Sequence, residues 1–216
     1  AQGGPELTER LEASLREGLQ ALGTDVGNDA IGQLLAYLDL LDRWNRTYNL
    51  TAVRDPLEGV SRHVLDSLSV LPYIPARRLL DVGAGAGLPG IPLAIARPSL
   101  EVTLVDSAGK KVRFMSHVRR ELQLENIHPR HERVQSLEAG ERFDAGISRA
   151  FSDLAAYVEA VRHLCGEGVR LLAMKGRHPG KELQALPPWV EVISVEKLVV
   201  PGLHEQRHLV IMSAKP

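Results

Sequence analysis

The chain is short of several things at once. Of its 216 residues only Cys165 is a cysteine, and aromatic residues make up 4 %. A lone thiol forms no internal disulfide, as expected of a protein kept in a reducing cytoplasm. Net charge is scarce too: 26 Lys and Arg face 27 Asp and Glu, a balance of −1. That excludes a generally basic nucleic-acid binder, so any RNA or DNA contact has to come from a local patch. No apolar run approaches the roughly 18 residues that span a bilayer, so no membrane partner is expected. Ala1-Gln2-Gly3-Gly4-Pro5 lacks the features of a signal peptide and has no initiator Met, so it is read as a processed or trimmed end. No metal site, internal repeat or low-complexity segment is expected. With 44 % hydrophobic and 25 % charged residues, the chain is an ordinary globular protein, long enough for one good core.

What is present falls into two textures, dividing the chain into residues 1–76 and 77–216. The first is helical. Leu7, Leu11, Leu15 and Leu19 recur at helical spacing, as do Ile31, Leu34, Leu35, Leu38, Leu41 and Trp44. Asn49-Leu50-Thr51 breaks the second helix. Asp55-Pro56 starts another, Asp55 as N-cap and Pro56 at the first helical position. From Arg77 onward short apolar runs (79–82, 102–105, 145–147, 169–174) alternate with helical stretches at about 91–96, 110–124 and 153–164. That alternation predicts βαβ units: an α/β, Rossmann-like, mostly parallel sheet with helices on both faces. The last two strands, 190–200 and 207–213, are joined by six residues, too few for a crossover helix. They are expected to form an antiparallel hairpin at one sheet edge. The expected architecture is thus an N-terminal helical cap on one compact Rossmann-like unit.

Leu79-Leu80-Asp81-Val82-Gly83-Ala84-Gly85-Ala86-Gly87-Leu88-Pro89-Gly90 joins the first strand to a helix through a glycine-crowded turn. Such a turn brings bare N–H groups and a helix start close to a nucleotide-like ligand. A dinucleotide fingerprint framed at Gly83 and Gly85 needs a third glycine at position 88, which is Leu88. The pattern is better written acid-x-Gly-x-Gly-x-Gly from Asp81, and it resembles the first motif of class I S-adenosylmethionine-dependent methyltransferases. That cofactor has no pyrophosphate but carries an ammonium and a carboxylate, which call for an acid and backbone N–H groups. Asp106, at the end of the second strand, suits a ribose diol and does not by itself discriminate among nucleotides. No Lys-Ser/Thr pair follows the glycines, which argues against a P-loop.

Beyond the loop, Arg43-Trp44-Asn45-Arg46-Thr47-Tyr48-Asn49-Leu50-Thr51, Arg62-His63-Val64-Leu65-Asp66-Ser67, Ser148-Arg149-Ala150-Phe151, Met174-Lys175-Gly176 and Arg207-His208-Leu209-Val210 occur in order. Together with Asp81–Pro92 they resemble the bacterial small-subunit (16S) ribosomal RNA guanine-N7 methyltransferases, the glucose-inhibited division protein B family. The resemblance runs from about Leu34 to Ile211. It implies an S-adenosylmethionine site of Asp81, Gly83, Gly85 and Leu88, with Asp106 at the ribose, Val134 and Gln135 beside the adenine and Arg149 at the mouth. Family members often carry Glu where Gln135 stands, so a backbone role is expected there. The implied partner is 16S rRNA or the small ribosomal subunit, met by a cytoplasmic monomer.

The residues fit that reaction by what they omit. There is no Asn/Asp-Pro-Pro-Tyr device for exocyclic amines, and Cys165 reads as a small core residue and not as a nucleophile. Guanine N7 has an in-plane lone pair and loses no proton on methylation, so it needs positioning more than acid–base chemistry. The positioning candidates are Arg149, Lys175, Arg207, His63 and Asn49. The RNA-binding candidates are Arg43, Arg46, Arg54, Arg62, Lys110, Lys111 and Arg113. Trp44 and Tyr48 fit the helix core better than base stacking. Two alternatives remain at this point: an NAD-dependent oxidoreductase, and a non-catalytic cofactor-binding assembly factor.

Overall fold

Helix α1 (Pro5–Leu22) begins with proline at its first turn, where the missing N–H has no helical partner to lose. It stops at Gly23, which takes φ +67°, while Gly23 and Thr24 return their N–H groups to the Gln20 and Leu19 carbonyls, 3.0 Å each. Helix α2 (Asn28–Tyr48) buries Ile31, Leu34, Tyr37, Leu38, Leu41 and Asn45, a stripe at i, i+3, i+4 and i+7. It ends where the Asn-Leu-Thr break predicts, at Asn49 with φ 50°. Asp55 caps α3 (Pro56–Gly59) as expected, Oδ1 accepting from the Leu57 N–H at 2.9 Å. The chain then runs through a π-helical stretch, Val60–Leu65, into α4 (Asp66–Leu68). That widened stretch has no counterpart in the sequence pattern.

The computed structural model describes residues 4–75, 77–149, 151 and 153–216; Ala1, Gln2, Gly3 and the Ala150 of one motif lie outside them. Seven strands make one sheet: β1 (Arg78–Val82), β2 (Glu101–Asp106), β3 (Ile127–His131), β4 (Ala145–Ser148), β5 (Arg170–Lys175), β6 (Val190–Leu198) and β7 (Arg207–Ala214), ordered β3-β2-β1-β4-β5-β7-β6. The first five are parallel. β7 lies antiparallel to β5, and β6 antiparallel to β7 at the edge. The hairpin is where its short connection predicts, with β6 outermost and β7 interior. β3 is the strand that the pattern did not reveal. His128, Pro129, Arg130 and His131 are not an apolar run, and Pro129 removes a ladder donor. An edge strand with a single neighbour tolerates both.

The helices α5 (Gly90–Ala96), α6 (Gly109–Glu121), α7 (Leu154–Val161) and the short, unforeseen α8 (Gly180–Gln184) complete the fold. Strand alternation sorts side chains to two faces. Leu79, Val102, Leu104, Leu172, Met174 and Leu209 share one core with Leu15, Leu34, Tyr37, Val64, Ile91 and Phe114. Leu80, Val82, Leu171, Ala173, Val210 and Met212 share the other with Leu154, Tyr157 and Val158 of α7. The N-terminal helices therefore cover the same face as α5 and α6. No described helix is long and apolar enough to cross a membrane.

Candidate cofactor and substrate cleft

All five parallel strands end at one rim, and in an open sheet of this kind ligands bind outside those carboxyl ends. The rim carries Val82, Asp106, His131, Ser148 and Lys175, and antiparallel β7 starts there with Arg207. From β1 the chain turns through Gly83, Gly85 and Gly87 at φ +66°, +59° and +92°, a region that glycine enters without strain. The glycines divide by what surrounds them. A Cβ on Gly87 would collide with Ile91 at 2.2 Å, and one on Gly90 with Asp81 Oδ2 at 2.7 Å and Leu104 at 2.8 Å, so both serve packing. A Cβ on Gly85 would meet nothing within 4 Å. There the backbone faces open space.

Asp106 stands beside that opening. Its Oδ2 accepts from the Gly85 N–H and its Oδ1 from the Ala108 N–H, both at 2.8 Å. The second strand's carboxylate thus braces the loop that follows the first. Asp81 lies beneath the loop, fully buried. Its Oδ2 accepts from the Gly90 N–H at 2.8 Å, at the first residue of α5, and its Oδ1 has no partner among the described residues. Burial, only partly offset by the Gly90 bond, pushes its carboxyl up to about 8. Leu88 is buried and precedes Pro89 through a cis peptide. Val134 and Gln135 lie in a short 3-10 turn after β3, Val134 buried and Gln135 exposed.

At the mouth, sequence reasoning missed the central residue. Asp66, almost wholly buried at the start of α4, takes Arg207 Nε on Oδ1 at 2.7 Å. Its Oδ2 takes Arg207 Nη2 at 2.9 Å and Arg149 Nη1 at 3.0 Å. Arg149 Nη1 also donates to the Arg62 carbonyl at 3.2 Å. One carboxylate of the helical part therefore holds an arginine from the β4 end and another from the β7 start. Its only signal in the sequence was its place in the Arg-His-Val-Leu-Asp-Ser segment.

His63, three residues earlier, is buried, with Nε2 3.3 Å from Thr51 Oγ1 and Nδ1 unpartnered among the described residues. Burial and then the nearby Arg149 charge lower its pKa to about 4, so it is neutral at pH 7. Asn45 ties the same corner, its Nδ2 donating to the Val53 carbonyl at 3.1 Å and its Oδ1 accepting from the Thr51 N–H at 2.9 Å. Asn49 Oδ1 accepts from Arg54 Nη2 at 2.6 Å. Lys175 pairs with Glu182 at 2.8 Å, and that same carboxylate accepts the Leu154 N–H at the start of α7.

The basic candidates separate into three groups. Arg43, Arg46 and Arg62 face Asp39, Asp42 and Glu205 at 2.6, 2.5 and 2.7 Å. Arg54 lies over the end of α2, and Lys110 Nζ donates to the Tyr48 carbonyl at 3.0 Å. Lys111 and Arg113, in the first turns of α6 just past Asp106, carry no ion pair among the described residues. Trp44 packs in tilted contact with Tyr48, Phe114 and His117, with ring centroids 5.1–5.5 Å apart, which places it against α6.

The family model described as rRNA small subunit methyltransferase G matches residues 30–210. The chain belongs to that family. Among its curated relatives, the ribosomal RNA small subunit methyltransferase G of Alkalilimnicola ehrlichii is 50 % identical over 93 % of this chain and 91 % of the relative. The Pseudomonas aeruginosa protein of the same name is 50 % identical over 95 % and 97 %. The fold is shared more widely. An O-methyltransferase from Bacillus cereus, solved in complex with SAH, aligns at a TM-score of 0.58 and 20 % identity over 83 % of this chain and 91 % of its own. The tRNA methyltransferase TrmK of Bacillus subtilis aligns at 0.58 and 16 % over 72 % and 68 %. Membership in the family makes the chain an S-adenosylmethionine-dependent methyltransferase with the class I fold. The NAD-dependent and non-catalytic alternatives find no support in either comparison. The residues present fit the cofactor: an open backbone cradle at Gly85, a carboxylate at Asp106 and, buried beneath the turn, an acid at Asp81 whose Oδ1 has no partner among the described residues.

Proposed function

We propose that this chain methylates N7 of one guanine in 16S ribosomal RNA, binding S-adenosylmethionine across the glycine turn. The observation that carries the reading is the open cradle at Gly85 braced by Asp106, in a chain of this family. Gly83, Gly85 and Leu88 line the turn, Asp106 accepts the ribose hydroxyls, and the backbone at Val134 and Gln135 lies along the adenine. Asp81 supports the amino-acid end from below, since its burial keeps it out of the open cleft. Bound S-adenosylmethionine supplies a methyl group on a positively charged sulfur, which the in-plane lone pair of N7 accepts with no proton to remove.

The chain's own task is then positioning. Arg149 and Arg207, held by Asp66, keep N–H groups free of that carboxylate for an oxygen of the base or a phosphate. His63, neutral at working pH, holds Thr51 and the loop that follows α2, and does not act as an acid. Asn49 orients Arg54, and Lys175 steadies the β5 end through Glu182. Lys111 and Arg113 are the cations best placed to meet phosphates; Arg43, Arg46 and Arg62 reach RNA only by giving up an acidic partner. A net charge of −1 makes binding to bare RNA weak and salt-sensitive. We therefore propose a cytoplasmic monomer that recognises a structured particle, the small subunit or an assembly intermediate.

The test is methyl transfer to deproteinised 16S rRNA and to small subunits, both from cells lacking the enzyme, with mass mapping of the product. One new N7-methylguanine, formed faster on the particle, is expected. Its absence from both substrates overturns the reading. Asp106→Ala should weaken S-adenosylmethionine binding at least tenfold, the scale of a lost charge-assisted hydrogen-bond pair.

A further inference from the structure

Among the described residues, one side chain of the helical cap hydrogen-bonds to the glycine loop. Tyr37, midway along α2 and fully buried, donates its hydroxyl to the Ala86 carbonyl at 2.8 Å, 49 residues away in sequence. Ala86 stands between Gly85 and Gly87, both at positive φ. Two flanking glycines leave this backbone unusually free to rotate, so its conformation depends on the hydrogen bonds at both ends of the peptide. Within the loop the Gly85 N–H goes to Asp106, and the Gly87 N–H, the other end of the Ala86–Gly87 peptide, goes to the Ala84 carbonyl at 2.8 Å; Tyr37 holds the carbonyl end of that peptide from outside the loop. The Tyr37 ring packs against Phe114 of α6, centroids 6.2 Å apart, so the phenol is wedged between the loop and that helix. Burial raises the phenol's pKa far above its ordinary value, which keeps it a hydrogen-bond donor.

We propose that Tyr37 is a positioning residue for the cofactor: by holding the Ala86 carbonyl against α2, it presets the open face of the glycine turn. This rests on the reading of that turn as the S-adenosylmethionine site. It makes the helical cap part of cofactor binding as well as of substrate recognition. Tyr157 provides the matched control. It is equally buried on the opposite face of the sheet, and its hydroxyl has no hydrogen-bond partner among the described residues.

The test is calorimetric titration of S-adenosylhomocysteine into the full chain. Tyr37→Phe should raise Kd about tenfold, as expected when a buried carbonyl loses its donor. The KM for small subunits should stay within about twofold, and Tyr157→Phe should leave Kd unchanged on the same argument. A Tyr37→Phe protein with a lower Tm but an unaltered Kd overturns the proposal, since a purely structural tyrosine would behave that way. If that variant does not fold, hydrogen exchange on the unmodified chain decides: S-adenosylhomocysteine should slow exchange in residues 84–90 and also along α2 around residue 37. Protection confined to the loop counts against the proposal. Asp106→Ala measured alongside separates the two readings. Unchanged affinity there removes the loop as the cofactor site, whereas weakened affinity with a normal Tyr37→Phe removes only the role of Tyr37.

Discussion

Asp81 shows how a single buried group carries two opposed demands. Folding has taken it out of water, given one oxygen to Gly90 and left the other without a partner among the described residues, so it holds its proton up to about pH 8. In the unfolded chain the same carboxyl ionises near its ordinary value of about 3.9. Between those limits the folded state binds the extra proton, so this group's contribution to stability falls as pH rises from about 4 through 8. Asp81→Asn keeps an oxygen for the Gly90 N–H and removes the titration. The variant should therefore gain on the parent steadily as pH rises from about 4 to 8 in urea unfolding. Equal pH slopes for the two proteins would show that Asp81 is already ionised in the fold. Cofactor affinity should move the opposite way, because an ammonium group nearby favours the carboxylate that Asn cannot supply.

At the scale of elements, the β1–loop–α5 connection leaves no room for a side chain at Gly90. Three side chains from two strands, Asp81, Val102 and Leu104, converge within 3.0 Å of where a Cβ on Gly90 would sit. Gly90→Ala forces them apart and disturbs the Asp81 bond that starts α5. A cost of about 1–3 kcal/mol follows from overpacking, seen as a fall in Tm of roughly 3–10 °C for a chain of this size. An unchanged Tm would mean that α5 can slide without loss. This connection was legible in the sequence because glycine, proline and an acid mark it letter by letter. The Asp55 cap and the C-terminal hairpin were legible for the same reason: both are local. β3 was not, since an edge strand does not need an apolar run and Pro129 disguised it. Asp66 and Tyr37 were not either. Their partners lie 141 and 49 residues away, and no local pattern encodes a contact that only the folded sheet creates. The basic candidates were legible as positions but not as free charges, because Asp39, Asp42 and Glu205 claim Arg43, Arg46 and Arg62.

For the whole molecule, the change of texture near residue 76 invites a division into a cap and a catalytic part, yet the apolar contacts do not respect it. Leu15, Leu34, Leu38, Val64 and Leu68 from the first part share one core with Leu79, Ile91, Val102, Phe114 and Met174 from the second. Polar ties cross as well: Tyr37 to Ala86, Arg149 and Arg207 to Asp66, and Lys110 to Tyr48. At about 25 cal/mol per Å2 of apolar area, uncovering one face of a sheet is a loss that the remaining core cannot offset in a protein of marginal net stability. We therefore expect the two parts to fold as one unit, despite the size at which longer chains begin to divide. A calorimetric scan of the full chain should show one transition, with calorimetric and van't Hoff enthalpies in agreement. The fragment 77–216 should aggregate or remain molten, because its α5 and α6 face would be bare. Two resolved transitions, or a soluble fragment that binds S-adenosylhomocysteine with the parent's Kd, would restore the two-domain division and with it a cofactor site indifferent to the cap.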